Sequence, residues 1–257
     1  MFLFAIGADR MAHAITDGSA DGNGHPFVGL LVFDVGGSPA WRCSATLLSP
    51  TILLTAGHCA DGARSGRVWF EADVESNRVA LGYPRGGSTS VEFCGIATHP
   101  QFGEGSFVLH DVGVVTLCRP VLRSVYGVLP GVNEFDSLKT RRGMQDVTFT
   151  AVGYGLQKSF PEAASFHDSF LKIRMVAYPK LNQINVPGFT GDFSMLLSNN
   201  AHTGGTCFGD SGGPNFLGSS NVVAGVTSFG INGNCAGTGG VFRMDRKNVL
   251  DFVNSFL

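Results

Sequence analysis

The sequence predicts an all-β protein, and three observations predict it. Short apolar runs of strand length recur along the chain, glycine is abundant, and only one segment shows helical periodicity. Glycine supplies 36 of the 257 residues and phenylalanine 21, the former roughly twice its usual share. With 44% apolar residues, the chain buries enough surface to offset the entropy of ordering it, which excludes a disordered polymer.

The strand-length runs lie at 28–33, 45–48, 52–56, 112–117, 146–152 and 222–226. Each is rich in β-branched residues, and Gly, Pro, Asn or Ser punctuates the intervals. No repeat or low-complexity linker divides the chain. This is the pattern of a sandwich or barrel rather than of βαβ units. The helix is expected at 245–256, where Val249, Leu250, Phe252, Val253 and Phe256 fall on one face. Asp245 is expected as its N-cap.

A formal net charge of −2 and 15% charged residues give no electrostatic footprint for nucleic acid. No run reaches the ~18 apolar residues of a membrane helix, so neither nucleic acid nor membrane is expected as a partner. The cysteines stand at 43, 59, 94, 118, 207 and 235 without a C-x-x-C, a spacing that fits no zinc ribbon or finger. Three disulfides formed in an oxidising compartment are expected, with the connectivity open at this point. Near the start, Phe2-Leu3-Phe4-Ala5-Ile6 is a short apolar run, and Ala12-His13-Ala14 has the form of a small-residue cleavage site. Residues 1–14 are read as the stub of an export signal, a plain tail being the alternative.

The stretch Cys207-Phe208-Gly209-Asp210-Ser211-Gly212-Gly213-Pro214 carries the most chemistry. A serine among glycines sits where positive φ is allowed, and where backbone N–H groups converge on one concavity able to receive an oxyanion. Serine at its free pKa is a poor nucleophile and needs a base with an orienting acid. His58, in Thr55-Ala56-Gly57-His58-Cys59, and Asp111, at the head of an apolar strand, are the candidates. A carboxylate entering an apolar run is costly without a partner.

Together the Thr-Ala-Gly-His-Cys and Gly-Asp-Ser-Gly-Gly-Pro blocks, with Asp111 between them, resemble the trypsin/chymotrypsin-type serine proteases in the order His, Asp, Ser. The likeness runs from Ile15 to the terminal helix. It implies two packed six-stranded antiparallel β-barrels with a C-terminal α-helix in one protease domain, 15–257. The barrels would span about 26–128 and 129–243, and the helix about 245–256. It implies that Ser211 is the nucleophile, His58 the base and Asp111 the group that orients His58, with the amides of Gly209 and Ser211 as the oxyanion hole. His25, His99, His110, His167 and His202 are expected as loop or surface residues.

The resemblance further implies disulfides Cys43–Cys59, bracing the histidine loop, and Cys207–Cys235, tying the serine loop to the pocket wall. Cys94 and Cys118 then remain. Their pairing is not a usual family bridge, but 91–98 and 112–118 are expected as neighbouring antiparallel strands. Gly153-Tyr154-Gly155 resembles the family's Gly-Trp-Gly. Ile15-Thr16-Asp17-Gly18 resembles its mature start, so an Ile15 ammonium is expected to pair with Asp210. A cut between Ala14 and Ile15 would make signal removal and activation one event; the alternative is a conventional pro-enzyme from which another protease frees Ile15. Gly205 is expected at the floor of the primary pocket, with Ser228, Phe229, Gly230 and Gly240 around it. Three glycines and no acid favour a bulky apolar or aromatic P1 side chain over Lys or Arg.

The expected protein is a secreted, monomeric endopeptidase, acting on protein or peptide substrates and open to proteinaceous inhibitors. No cofactor or metal is expected, although Glu71, Asp73 and Glu75 resemble the calcium loop of some relatives. Lys139-Thr140-Arg141-Arg142 is read as an exposed loop. The rival readings are a non-catalytic binding module on the same fold and an enzyme acting mainly on small esters.

Overall fold

The computed structural model describes residues 15–106, 108–139, 146–158 and 170–257. The expected export stub 1–14, the residues 140–142 of the basic run and His167 lie outside the described residues.

The first half of the chain forms β1 (Ser19–Ala20), β2 (Val28–Val35), β3 (Ser38–Leu47), β4 (Ile52–Thr55), the one-turn helix α1 (Gly57–Ala60), β5 (Ser65–Trp69), β6 (Val91–Thr98) and β7 (Gly113–Leu117). Strands β2 to β7 close into a barrel in the order β2-β3-β4-β7-β6-β5. Every pairing in it is antiparallel. All residues of β2 except the last are buried, so its sequence reads as a continuous apolar run rather than an alternating one. Such a strand is covered on both faces.

The second half forms a 3-10 turn (Glu134–Leu138), β8 (Phe149–Gly153), β9 (Met175–Ala177), β10 (Leu181–Val186), β11 (Gly191–Asn199), β12 (Pro214–Leu217), β13 (Val223–Gly230), β14 (Gly237–Arg243) and α2 (Lys247–Asn254). Its sheet runs β1-β9-β8-β12-β13-β14-β11-β10. Strands β9 and β10 are two halves of one bent strand, broken at Pro179, which has no N–H to give to a ladder. Across the break, Phe149 N–H donates to Pro179 O at 2.8 Å and Leu181 N–H to Val147 O at 2.9 Å. The sheet thereby curls back on itself into the expected second six-stranded barrel, with β1 added along β9.

One apolar core runs between the barrels. Phe27 meets Phe216 edge-on with centroids 5.7 Å apart, and Val28, Tyr154, Val176 and Val226 belong to the same buried cluster. Arg174 is fully buried there. It donates to Asp21 Oδ2 (2.8 Å), Val28 O (3.1 Å), Phe70 O (3.0 Å), Tyr154 Oη (3.1 Å) and Gly22 O (2.6 Å). A buried guanidinium is tolerated only when its donors are satisfied in this way, and this one fastens the N-terminal segment to both barrels.

The terminal helix forms as its periodicity predicts, with Val249, Leu250 and Val253 buried. Asp245 is not its cap. The N-cap position falls to Arg246, without a side-chain bond. Asp245 is instead drawn inward by Arg243, whose Nε and Nη2 donate to its two oxygens at 2.9 and 2.7 Å. The N–H of Phe135 adds a third bond at 2.9 Å.

Candidate active site

The site lies where the two barrels meet. Strand β4 ends at Thr55, and after Ala56 at the N-cap position α1 turns immediately to present His58. The turn is held by the Cys43–Cys59 disulfide and by Trp41 Nε1–H, which donates to Cys59 O at 2.9 Å. Asp111 comes from the neighbouring strand, just before β7, whose Gly113 pairs with Thr55 at the end of β4, and is fully buried. Its Oδ1 accepts the His58 backbone N–H at 2.8 Å, and its Oδ2 meets His58 Nδ1 at 2.8 Å. Ser228 Oγ also donates to Oδ2. A carboxylate in its ionised form only accepts, so this geometry suits the Nδ1–H tautomer, in which Nε2 is the basic nitrogen. Nε2 lies 3.7 Å from Cys59 Sγ.

Ser211 is stitched to both barrels. Its carbonyl accepts the Ser44 N–H from β3 at 2.8 Å, and the next residue, Gly212, donates to Thr227 O of β13 at 2.8 Å. Gly209 and Gly212 have φ of 92° and 75°, the left-handed region that glycine enters freely. A Cβ on Gly212 would also stand 2.6 Å from Ser44 O. Ser44, fully buried, supports the turn further: its Oγ donates to Gly209 O at 3.2 Å and accepts Tyr154 N–H at 3.0 Å. The N–H groups of Gly209 and Ser211 donate to no other described residue. Among the described residues Ser211 Oγ has no hydrogen-bond partner, a common state of such sites without substrate.

His58 and Ser211 line one cavity of about 310 Å³, with Thr206, Cys207, Phe208, Thr227, Ser228, Phe229, Gly230 and Cys235. The Cys207–Cys235 disulfide forms part of the wall. Of the expected pocket residues, Ser228, Phe229 and Gly230 line the cavity, whereas Gly205 and Gly240 do not. A Cβ on Gly240 would overlap the Phe229 ring, so this glycine lies behind that ring. Gly205 faces the buried side chain of Asn199, and Thr206 stands at that end of the cavity. No acid lines it.

Asp210 is fully buried, and its carboxylate accepts Gly155 N–H (2.7 Å) and Cys207 N–H (2.9 Å). Burial pushes its carboxyl up to about 7, against those two bonds and the more distant Arg42 charge. Ile15 is also fully buried, and it is held at φ 56°. Thr16 bridges Gly205 in antiparallel fashion.

The third disulfide joins Cys94 to Cys118 across β6 and β7. Cys43, His58 and Cys59 cluster as three potential metal ligands, but both sulfurs are spent in a disulfide. Of the acids resembling a calcium loop, Glu75 pairs with Lys172 (2.9 Å) and Arg78 (3.1 Å), and Asp73 accepts Ser76 N–H at 2.9 Å. His99 is a loop residue as expected but is buried, not exposed: its ring stacks on His110 at 4.8 Å, inclined 12°, and meets Phe252 edge-on at 5.2 Å. His25 is half-buried against Phe216.

Sequence reading missed Ser44 and Asn199. Their one local signal is polarity: Ser44 interrupts a buried run on β3, and Asn199 ends the apolar stretch of β11.

Comparison with known proteins follows the same lines. A family model described as Trypsin matches residues 16–252. Brachyurin of Leptuca pugilator is 28% identical over 194 residues, covering 75% of this chain and 77% of that protein. The CLIP domain-containing serine protease B14 of Anopheles gambiae is 26% identical over 219 residues, covering 74% of this chain and 57% of that protein. The solved structure of HL collagenase superposes with a TM-score of 0.71 at 21% identity, covering 95% of this chain and 99% of that one; this is a likeness of fold.

Proposed function

The chain belongs to the trypsin family of serine proteases, and from that premise we propose that it hydrolyses peptide bonds through Ser211, His58 and Asp111, with preference for a bulky apolar or aromatic P1 residue. The observation that carries the assignment is the grip of buried Asp111 on both the backbone N–H and Nδ1 of His58, beside Ser211 in one cavity.

The Ser211 hydroxyl gives its proton to His58 Nε2 as Oγ bonds to the scissile carbonyl carbon. The N–H groups of Gly209 and Ser211 receive the oxyanion, an effect whose loss lowers rate by about 10²–10³. The C–N bond then breaks, and His58 delivers the proton to the leaving amine. Water repeats the sequence on the acyl-enzyme, with His58 again as base, and releases the acid. Asp111 keeps the imidazole in the Nδ1–H tautomer and stabilises its charged form. The P1 preference is supported by the uncharged lining of Thr206, Phe229, Gly230 and Cys207–Cys235.

Activation rests on Ile15. Its freed ammonium pairs with Asp210, a buried carboxylate whose bonds come from two backbone N–H groups. Buried carboxylates of this kind are strongly stabilised by a cation. Secretion is supported by three disulfides, which persist in oxidising compartments.

The test is labelling with a fluorophosphonate on protein whose mature terminus has been mapped. Labelling at Ser211, abolished in Ser211→Ala, is expected. Correctly processed protein that takes no label is instead a binding module on this fold. Casein left intact while small esters are cleaved points to an esterase.

A further inference from the structure

The side-chain direction of Gly205 is already occupied. A Cβ built there would fall on the Asn199 carboxamide, 2.6 Å from its Cβ and Oδ1 and nearer still to its Cγ, so residue 205 has no room for a side chain while Asn199 is present. Asn199 is 2% exposed, and both ends of its amide are engaged. Oδ1 accepts Thr16 Oγ1–H at 2.7 Å, and Nδ2–H donates to Thr206 O at 2.8 Å. Asn199 lines a second cavity of about 380 Å³ behind the first, with Thr16, Asp17, Gln157, Asn234 and Cys235. Cys235 borders both cavities. Asn199 thus backs the strand Gly205–Thr206 that separates them.

We propose that Asn199 is a positioning residue that fixes the Thr206 end of the primary pocket from behind, filling the space toward which a side chain at 205 would point and linking Thr206 to the N-terminal segment through Thr16. This rests on the cavity being the primary pocket of a protease. Two consequences distinguish the role from plain core filling. An acid introduced at 205 points at the carboxamide, away from the primary pocket, and cannot make that pocket Lys/Arg-selective. A change at Thr16 reaches substrate through the Thr206 end of the pocket, so its effect depends on P1 size.

The experiment compares wild type, Gly205→Asp, Asn199→Gly/Gly205→Asp and Thr16→Val in the full processed protein. Fluorophosphonate titration counts active sites, and kcat and KM are measured on peptides with P1 Ala, Leu, Phe, Lys and Arg. Gly205→Asp alone is expected to lose about tenfold or more in kcat/KM on every P1 without gaining Lys or Arg preference. The double variant gives the acid room behind the pocket and is expected to recover part of that loss on every P1, again without Lys or Arg preference. Thr16→Val, which needs no new volume, is expected to raise KM for Phe several-fold more than for Ala, with kcat little changed. A Gly205→Asp enzyme that is by itself Lys/Arg-selective overturns the proposal. So does a Thr16→Val enzyme that changes all P1 substrates equally. A wild-type protein that takes no label refutes the protease reading itself, a separate result.

Discussion

The N–H of Gly155 donates to Asp210 Oδ1 at 2.7 Å, fixing a carboxylate that is fully buried at the back of the serine turn. A carboxylate this deep, with no cation among its hydrogen-bond partners, titrates late, and its carboxyl is pushed up to about 7 from 3.8 by burial. Between those values the folded state holds a proton that the unfolded state has released. Stability of the unprocessed chain should therefore fall as pH rises from about 4 to 7 and level off above, by roughly 4 kcal/mol at most. Urea midpoints of wild type and Asp210→Asn across this range check the sign: the difference between them should grow in favour of the variant as pH rises. Protein freed at Ile15 should lose this slope, because the ammonium stabilises the charged form.

Ser228→Ala removes a hydroxyl donor from Asp111 Oδ2. A hydrogen bond to a charged group contributes about 1.5–3 kcal/mol. A fall in kcat/KM of about 10- to 100-fold is expected, with fluorophosphonate labelling slowed but not abolished. Progress curves on one apolar-P1 peptide decide the matter; an unchanged kcat/KM would mean that Asp111 is held adequately by His58 alone.

Arg174→Met strips Asp21 of its buried partner, the two side chains being 0% and 1% exposed. It also takes a donor from the carbonyls of Gly22, Val28 and Phe70. Breaking such a network should destabilise the fold by about 3–5 kcal/mol. Arg174→Lys should recover little, because a point charge cannot reproduce the five-donor fork. Denaturant titration of the three proteins tests both statements.

Removing the Cys94–Cys118 bridge by Cys94→Ser/Cys118→Ser should separate stability from catalysis. The bridge closes a loop with a sequence separation of 24, for which chain-entropy arguments give about 3 kcal/mol. It lies at exposed positions, Cys94 on β6 and Cys118 just past β7, and neither residue lines the cavity of His58 and Ser211. The melting temperature should drop while kcat/KM stays at the wild-type value.

What was readable in the sequence follows from how locally each feature is encoded. Strands β2, β4, β7, β8 and β13 announce themselves because continuous burial selects apolar, β-branched runs. The hairpin β10–β11 does not, since Leu181–Val186 and Gly191–Asn199 mix polar and apolar residues. Nor does β14, whose glycines carry no side-chain signal. The motifs around His58, Asp111 and Ser211 are legible because the chemistry dictates both residue type and turn. Asn199 is not, because its contact with Gly205 is made across the turn that Asn200 and Gly204 bridge, a tertiary arrangement that no apolar pattern announces. Asp245 misled for a similar reason: Arg243, two residues earlier, claims it before the helix can.

Ile15 sits at φ 56°, and for a β-branched residue that torsion stores about 1–3 kcal/mol. A φ angle exists only while a carbonyl carbon precedes the nitrogen. Hydrolysis of the bond before Ile15 therefore does not relax this torsion to a better value; it deletes the degree of freedom that was strained. On the activation route proposed above, the cut would thus remove one cost of keeping Ile15 buried, at the step that creates the ammonium for Asp210.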